Sequence, residues 1–137
     1  MEIHHWLILI IGVVFSVAIY SSVSQCLAGI RFRKRLKARD PLSDAEFVAE
    51  YYSDSGIPSD IPIRLRPIYG NFFEIDQLKI HPDELPPDIF EFDTIQLVDA
   101  IEREFDIKLD DNTQEQTTGE FDSIVRCIYR LTETNHS

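Results

Sequence analysis

Apolar side chains fall along this 137-residue chain in two rhythms, separated by stretches that have neither. The first is continuous. Residues 6–30 carry no Asp, Glu, Lys or Arg, and their first half is built almost wholly from Leu, Ile, Val and Phe. At ~1.5 Å per residue this run crosses a ~30 Å hydrocarbon core as one helix. The second rhythm is helical, with apolar residues three and four apart. It places Phe47, Val48, Tyr51 and Tyr52 on one face of a helix of about ten residues, after a Ser43/Glu46 capping box. It recurs in Ile61, Pro62, Leu65, Ile68, Tyr69, Phe72 and Phe73, with Asp60 as the capping residue. Pro62 suits a first turn, whereas Pro67 is expected to kink or split that helix.

A central helix follows over residues 92–106. Leu97, Val98, Ile101 and Phe105 form its apolar face, Ile95 widens that face, and Asp93 and Thr94 are its capping candidates. The last helix begins at a Thr117/Glu120 capping box and buries Phe121, Ile124, Val125, Ile128 and Leu131. Between these helices lie a turn over 53–58, a loop over 74–88 rich in proline and acid, and a polar segment over 112–118. The tail from Thr132 is polar and expected to fray. All convincing periodicity is helical. The expected fold is therefore all-α: a small bundle of about four helices over residues 41–137, preceded by one transmembrane helix over residues 6–30.

Charge divides the chain at the same boundaries. The net charge of −11 resolves into −1 over residues 1–30, +6 over 31–39 and −16 over 40–137. The six cations Arg31, Arg33, Lys34, Arg35, Lys37 and Arg39 form a basic juxtamembrane linker (residues 31–40) suited to anionic lipid head groups. By the positive-inside rule they keep the following domain cytoplasmic, with residues 1–5 outside and Trp6 at the outer interface. A cleaved signal fits less well, because residues 1–5 supply no positive start. The lipoprotein alternative at Cys26 puts Gln25 where a small residue belongs. An acidic domain repels phosphate backbones, so nucleic acid is not an expected partner, whereas a basic protein is.

Candidate chemistry is sparse. His4, His5, His81 and His136 lack the helical spacing of a metal site, and no metal is expected. Acid pairs such as Asp110 and Asp111 need a closed cleft to act as acid and base. No Ser/His/Asp or Cys/His order has a local signature, so an enzyme is not expected. Cys26 and Cys127 suggest neither a disulfide framework nor metal binding. Cys127 stands beside the last helix's apolar face, as a small core residue does.

The sequence over 92–111, together with the order of helices from residue 61 to 131, resembles an acyl carrier protein. That family has a first helix, a long loop, a central acidic helix, a short connecting helix and a closing helix. The resemblance implies a phosphopantetheine arm on a serine opening the central helix. Glu91 occupies that serine position, with Phe90 and Phe92 in place of the flanking aspartate and leucine. A carboxylate cannot form the arm's phosphodiester, and Thr94, the nearest hydroxyl, lies three residues later. The expectation is a membrane-anchored, non-catalytic carrier-like interaction module without a cofactor. Its partner-binding residues would be Asp93, Asp99, Glu102, Glu104 and Asp106. The alternative is an atypical membrane-tethered acyl carrier serving fatty acid or polyketide-type synthesis.

Overall fold

The computed structural model describes residues 2–86 and 94–135. These residues form six α-helices, one 3-10 turn and no strand. The helices are α1 (Glu2–Ala38), α2 (Asp44–Tyr51), α3 (Asp60–Phe73), α4 (Thr94–Phe105), α5 (Asp111–Gln116) and α6 (Phe121–Asn135), with the 3-10 turn at Gln77–Lys79. Glu91 and Asp93 lie outside the described residues.

α1 is one unbroken helix that runs on through the basic stretch to residue 38. Among the described residues it is the helix long and apolar enough to cross a membrane, and no part of its apolar window is buried by the protein. Its final turns behave differently. Phe32 and Leu36 are buried, and Arg39 pairs with the buried carboxylate of Glu84 and donates to the Lys79 carbonyl at 3.1 Å.

The core of the domain gathers Phe47 and Tyr52, then Ile61, Leu65, Tyr69 and Phe73 of α3, Leu97, Ile101 and Phe105 of α4, and Phe121, Ile124, Val125 and Ile128 of α6. α3 packs against both α4 and α6. The rings of Phe47 and Tyr69 each meet Phe121 edge to face, with centroids 5.8 and 5.4 Å apart. This geometry adds to the area that the rings bury.

Several local expectations change. α3 is not split at Pro67: the proline ring faces outward, while Leu65 and Tyr69 on either side are fully buried and hold both halves in one core. Asp60 lies inside the first turn and pairs with Arg64 at 3.5 Å; Ser59 holds the capping position without a side-chain hydrogen bond. Ile95 does not widen the α4 core face but is 66% exposed. Thr117 turns its hydroxyl back to the Thr113 carbonyl at 2.8 Å. The first amides of α6, on Phe121 and Asp122, donate instead to the carbonyls of Glu84 and Pro82 at 3.1 and 2.7 Å. A distant loop thus satisfies the orphan donors of that helix. α6 also continues through Asn135, beyond the point where fraying was expected.

The ends of α3 and α4 share one device. Glu74 and Asp106 adopt left-handed backbone, with φ of 56° and 53°. The following amides, Ile75 and Ile107, reach back to the carbonyls of Gly70 and Glu102 at 2.9 and 3.3 Å, as in a Schellman ending. At Gly70 a Cβ would come within 2.9 Å of the Ile75 carbonyl oxygen, so the chain's return over α3 requires glycine there.

Candidate functional site

The surface of α4 was the expected partner site, and the structure separates its acids by role. Glu104 is tied to α3: Arg64 Nε lies 2.9 Å from its Oε1, and a second guanidinium nitrogen meets its backbone carbonyl. The same guanidinium carbon sits 4.5 Å from the centre of the Phe105 ring, a cation–π contact that closes α3 over the end of α4. Glu102 also serves the fold. Its Oε1 accepts the Leu109 amide at 2.9 Å, and its Oε2 lies 3.5 Å from Lys108 Nζ. Asp99 and Asp106 are exposed and enter no ion pair among the described residues. Arg103 and Lys108 share their shallow surface, which is therefore mixed in charge rather than uniformly acidic.

Beside this surface, an apolar cleft of about 380 Å³ opens between α4, α5 and α6. Leu97, Val98 and Ile101 form one wall, Ile124, Cys127 and Ile128 the other, and Thr94, Thr117 and Thr118 also line it. Cys127 is buried here and Cys26 is exposed on α1; both are free thiols. α5 brings no buried residue to the cleft, being six polar residues capped by Asp110, which accepts the Thr113 amide at 2.7 Å. Hydrogen bonds to Thr113, from its side chain and then its backbone, hold the Asp110 carboxyl below the ordinary range.

The basic residues also divide. Arg31, Arg33, Lys34, Arg35 and Lys37 are exposed around the end of α1, whereas Arg39 faces the domain. Its partner Glu84 is a junction residue. Besides meeting Arg39, its carbonyl accepts the Phe121 amide and lies 2.9 Å from the Tyr69 hydroxyl. Burial, then the charges of Glu84 and Glu120, push the Tyr69 phenol well above its usual range.

Two buried charges, Glu84 and Arg66, were not singled out from the sequence. Arg66 is 1% exposed, sits over the Phe47 ring, and bonds to Asp44 Oδ1 at 2.8 Å and the Leu42 carbonyl at 2.9 Å. A signal for it existed, because Arg66 falls in register with Pro62, Tyr69 and Phe73 on the apolar face. Among the described residues no cluster of His, Cys, Asp and Glu could hold a metal ion. No protein-family model, curated protein or solved structure matches this chain.

Proposed function

We propose that this chain is a single-pass membrane protein whose carrier-like helical domain acts on the cytoplasmic side as a non-catalytic interaction module. One observation carries the reading: α1 changes environment along its length. Its residues from Ile3 to Leu27 are exposed, yet Phe32, Leu36 and Arg39 seat its end on the domain. That arrangement suits a domain held at a fixed height above a bilayer. The five exposed cations around the junction favour a cytoplasmic placement. A reporter fused after Ser137 should behave as cytoplasmic, and protease outside intact cells should leave the domain whole. External degradation of the domain would reverse the orientation.

The surface offered to a basic partner protein centres on Asp99 and Asp106, since Glu102 and Glu104 are engaged within the fold. Reversing Asp99 and Asp106 to lysine should remove partner crosslinks in native membranes while leaving domain stability unchanged. Reversing Glu104 should instead loosen α3 from α4. Binding that survives the first pair of changes would take α4 out of the interaction.

The apolar cleft favours a second reading, a membrane-tethered acyl carrier, because it offers an acyl chain a place lined by Thr94. Coexpression with a phosphopantetheinyl transferase followed by intact-mass measurement separates the two. An unchanged mass removes the carrier reading, and gain of the arm removes the non-carrier one.

A further inference from the structure

A second cleft, of about 250 Å³, lies where α1 meets the end of α3. Gly29, Ile30 and Arg33 line it from α1, and Phe73, Glu74 and Ile75 from the corner after α3. Its height follows from length. A ~30 Å hydrocarbon core takes about twenty helical residues, so a span beginning at Trp6 ends near residue 26. The cleft, reaching from Cys26 to Arg33, then opens at the depth of the inner head groups. Its lining combines apolar and charged residues. Ile30 and Ile75 give it an apolar wall, while Arg33 is exposed with no ion pair among the described residues. Glu74 stands on the domain rim but does not pair with Arg33.

We propose that this cleft binds one anionic phospholipid of the inner leaflet, its phosphate on Arg33 and its glycerol and first acyl carbons against Ile30, Phe73 and Ile75. The inference rests on the reading that α1 spans the membrane. An arginine fork suits a phosphate, and the apolar wall favours one that carries a chain to bury over a free anion. The neighbouring cations Arg31, Lys34, Arg35 and Lys37 enrich anionic lipid nearby without forming the site. The bound lipid fixes the domain's tilt on its anchor, because it touches both.

The test uses the full chain in nanodiscs of phosphatidylcholine with a minor fraction of phosphatidylglycerol, followed by detergent extraction and quantification of retained lipid. The wild-type chain should retain phosphatidylglycerol over phosphatidylcholine. Arg33→Gln should lower that retention roughly ten- to a hundredfold, the worth of a charge-assisted hydrogen bond. Lys34→Gln should lower it at most about fivefold, through the surface field alone. Gly29→Leu keeps every charge and adds an isobutyl group at a residue that lines the cleft, where a Cβ meets nothing within 4 Å. It should abolish retention. Equal effects of Arg33→Gln and Lys34→Gln, or full retention by Gly29→Leu, would show a diffuse basic surface and overturn the site. Equal retention of both lipids would overturn its preference for anions. A chain that fails to enter nanodiscs at all, scored separately by flotation, would overturn the spanning reading and this site with it.

Discussion

Ile8, Leu9 and Ile10 in α1 are as apolar as Ile61 and Leu65 in α3, yet the two sets meet opposite surroundings. The first three are 68%, 61% and 55% exposed, while Ile61 and Leu65 are 4% and 0% exposed. Residue type is the same, so the difference lies in pattern. α3 places its apolar residues on one face and closes that face against α4 and α6. α1 is apolar nearly all round from Trp6 to Tyr20, and no single packing partner could cover it. The transition occurs within one helix: Phe32 and Leu36 follow the domain's rule, while Ile30, two residues before Phe32, is still 49% exposed. A continuous apolar belt calls for an apolar solvent, and a one-sided stripe calls for a core.

The same substitution in both regions gives the largest contrast. Phe121 is fully buried among the rings of Phe47 and Tyr69, so Phe121→Ala should cost the domain about 3–5 kcal/mol. Phe15 is 67% exposed on α1, so Phe15→Ala should leave domain unfolding unchanged. Denaturant titration of the full chain in mild detergent, read by domain tyrosine fluorescence, checks both. Equal losses would mean that α1 packs into the domain core after all.

The junction should show an intermediate effect. Arg39→Ala leaves Glu84, 4% exposed, without its ion partner. Breaking a buried pair costs about 3–5 kcal/mol, and the value here should fall at the lower end because Arg39 is 21% exposed. A chain lacking residues 1–31 should therefore be more stable than one lacking residues 1–39, which also loses Phe32, Leu36 and Arg39. Both should still fold, because the principal core cluster contains no residue of α1. Equal midpoints for the two truncations would sever the anchor from the domain energetically.

Alkali should probe the polar atoms inside the domain. Burial raises the Tyr52 phenol, with the Asp122 carboxylate adding to the shift, and burial likewise raises Tyr69. Each folded value lies above the unfolded one near 10, so the stability they contribute is intact below about pH 10 and is lost as pH rises beyond it. The thermal midpoint should fall between about pH 9 and 11. It should fall less in a Tyr52→Phe/Tyr69→Phe chain, whose neutral baseline is lower because each change removes a hydrogen bond worth about 1 kcal/mol.

The elements that carry an apolar stripe were legible in the sequence. Leu97, Ile101 and Phe105 of α4 are buried as their spacing requires, as are Phe121, Ile124, Val125 and Ile128 of α6. What local pattern did not reveal depends on contacts between distant residues. Arg66 is buried because Asp44 and Leu42, more than twenty positions away, receive its donors. Glu84 is buried because Arg39, from the end of α1, comes to meet it. Ile95 matched the α4 stripe but stands two residues before the buried Leu97, about half a turn away and so on the other side of the helix. The expected acidic surface changed for the same reason. Spacing grouped Asp99, Glu102, Glu104 and Asp106 on one exposed side, and only the fold shows Glu104 committed to Arg64 and Glu102 to the Leu109 amide.

The smallest predicted effect concerns α5, which follows neither of the two apolar rules. None of its six residues is buried, and its periodicity gives no helical signal. Local hydrogen bonds hold it: the Thr113 amide to Asp110 at 2.7 Å, Gln114 Nε2 to the Leu109 carbonyl at 2.8 Å, and the Thr117 hydroxyl to the Thr113 carbonyl at 2.8 Å. Asp110→Ala should therefore fray α5 alone. Hydrogen exchange at the Thr113 amide should accelerate while the global unfolding midpoint stays in place, since no core side chain depends on this helix. Acid should imitate the substitution. The folded carboxyl is held below its unfolded value, so its contribution is present above about pH 4 and disappears as pH falls through the lower, folded value. Exchange at Thr113, corrected for its intrinsic pH dependence, should rise over that window in the wild-type chain and stay flat in the variant. A global midpoint that falls with Asp110→Ala would show that α5 supports the α4–α6 cleft rather than merely bordering it.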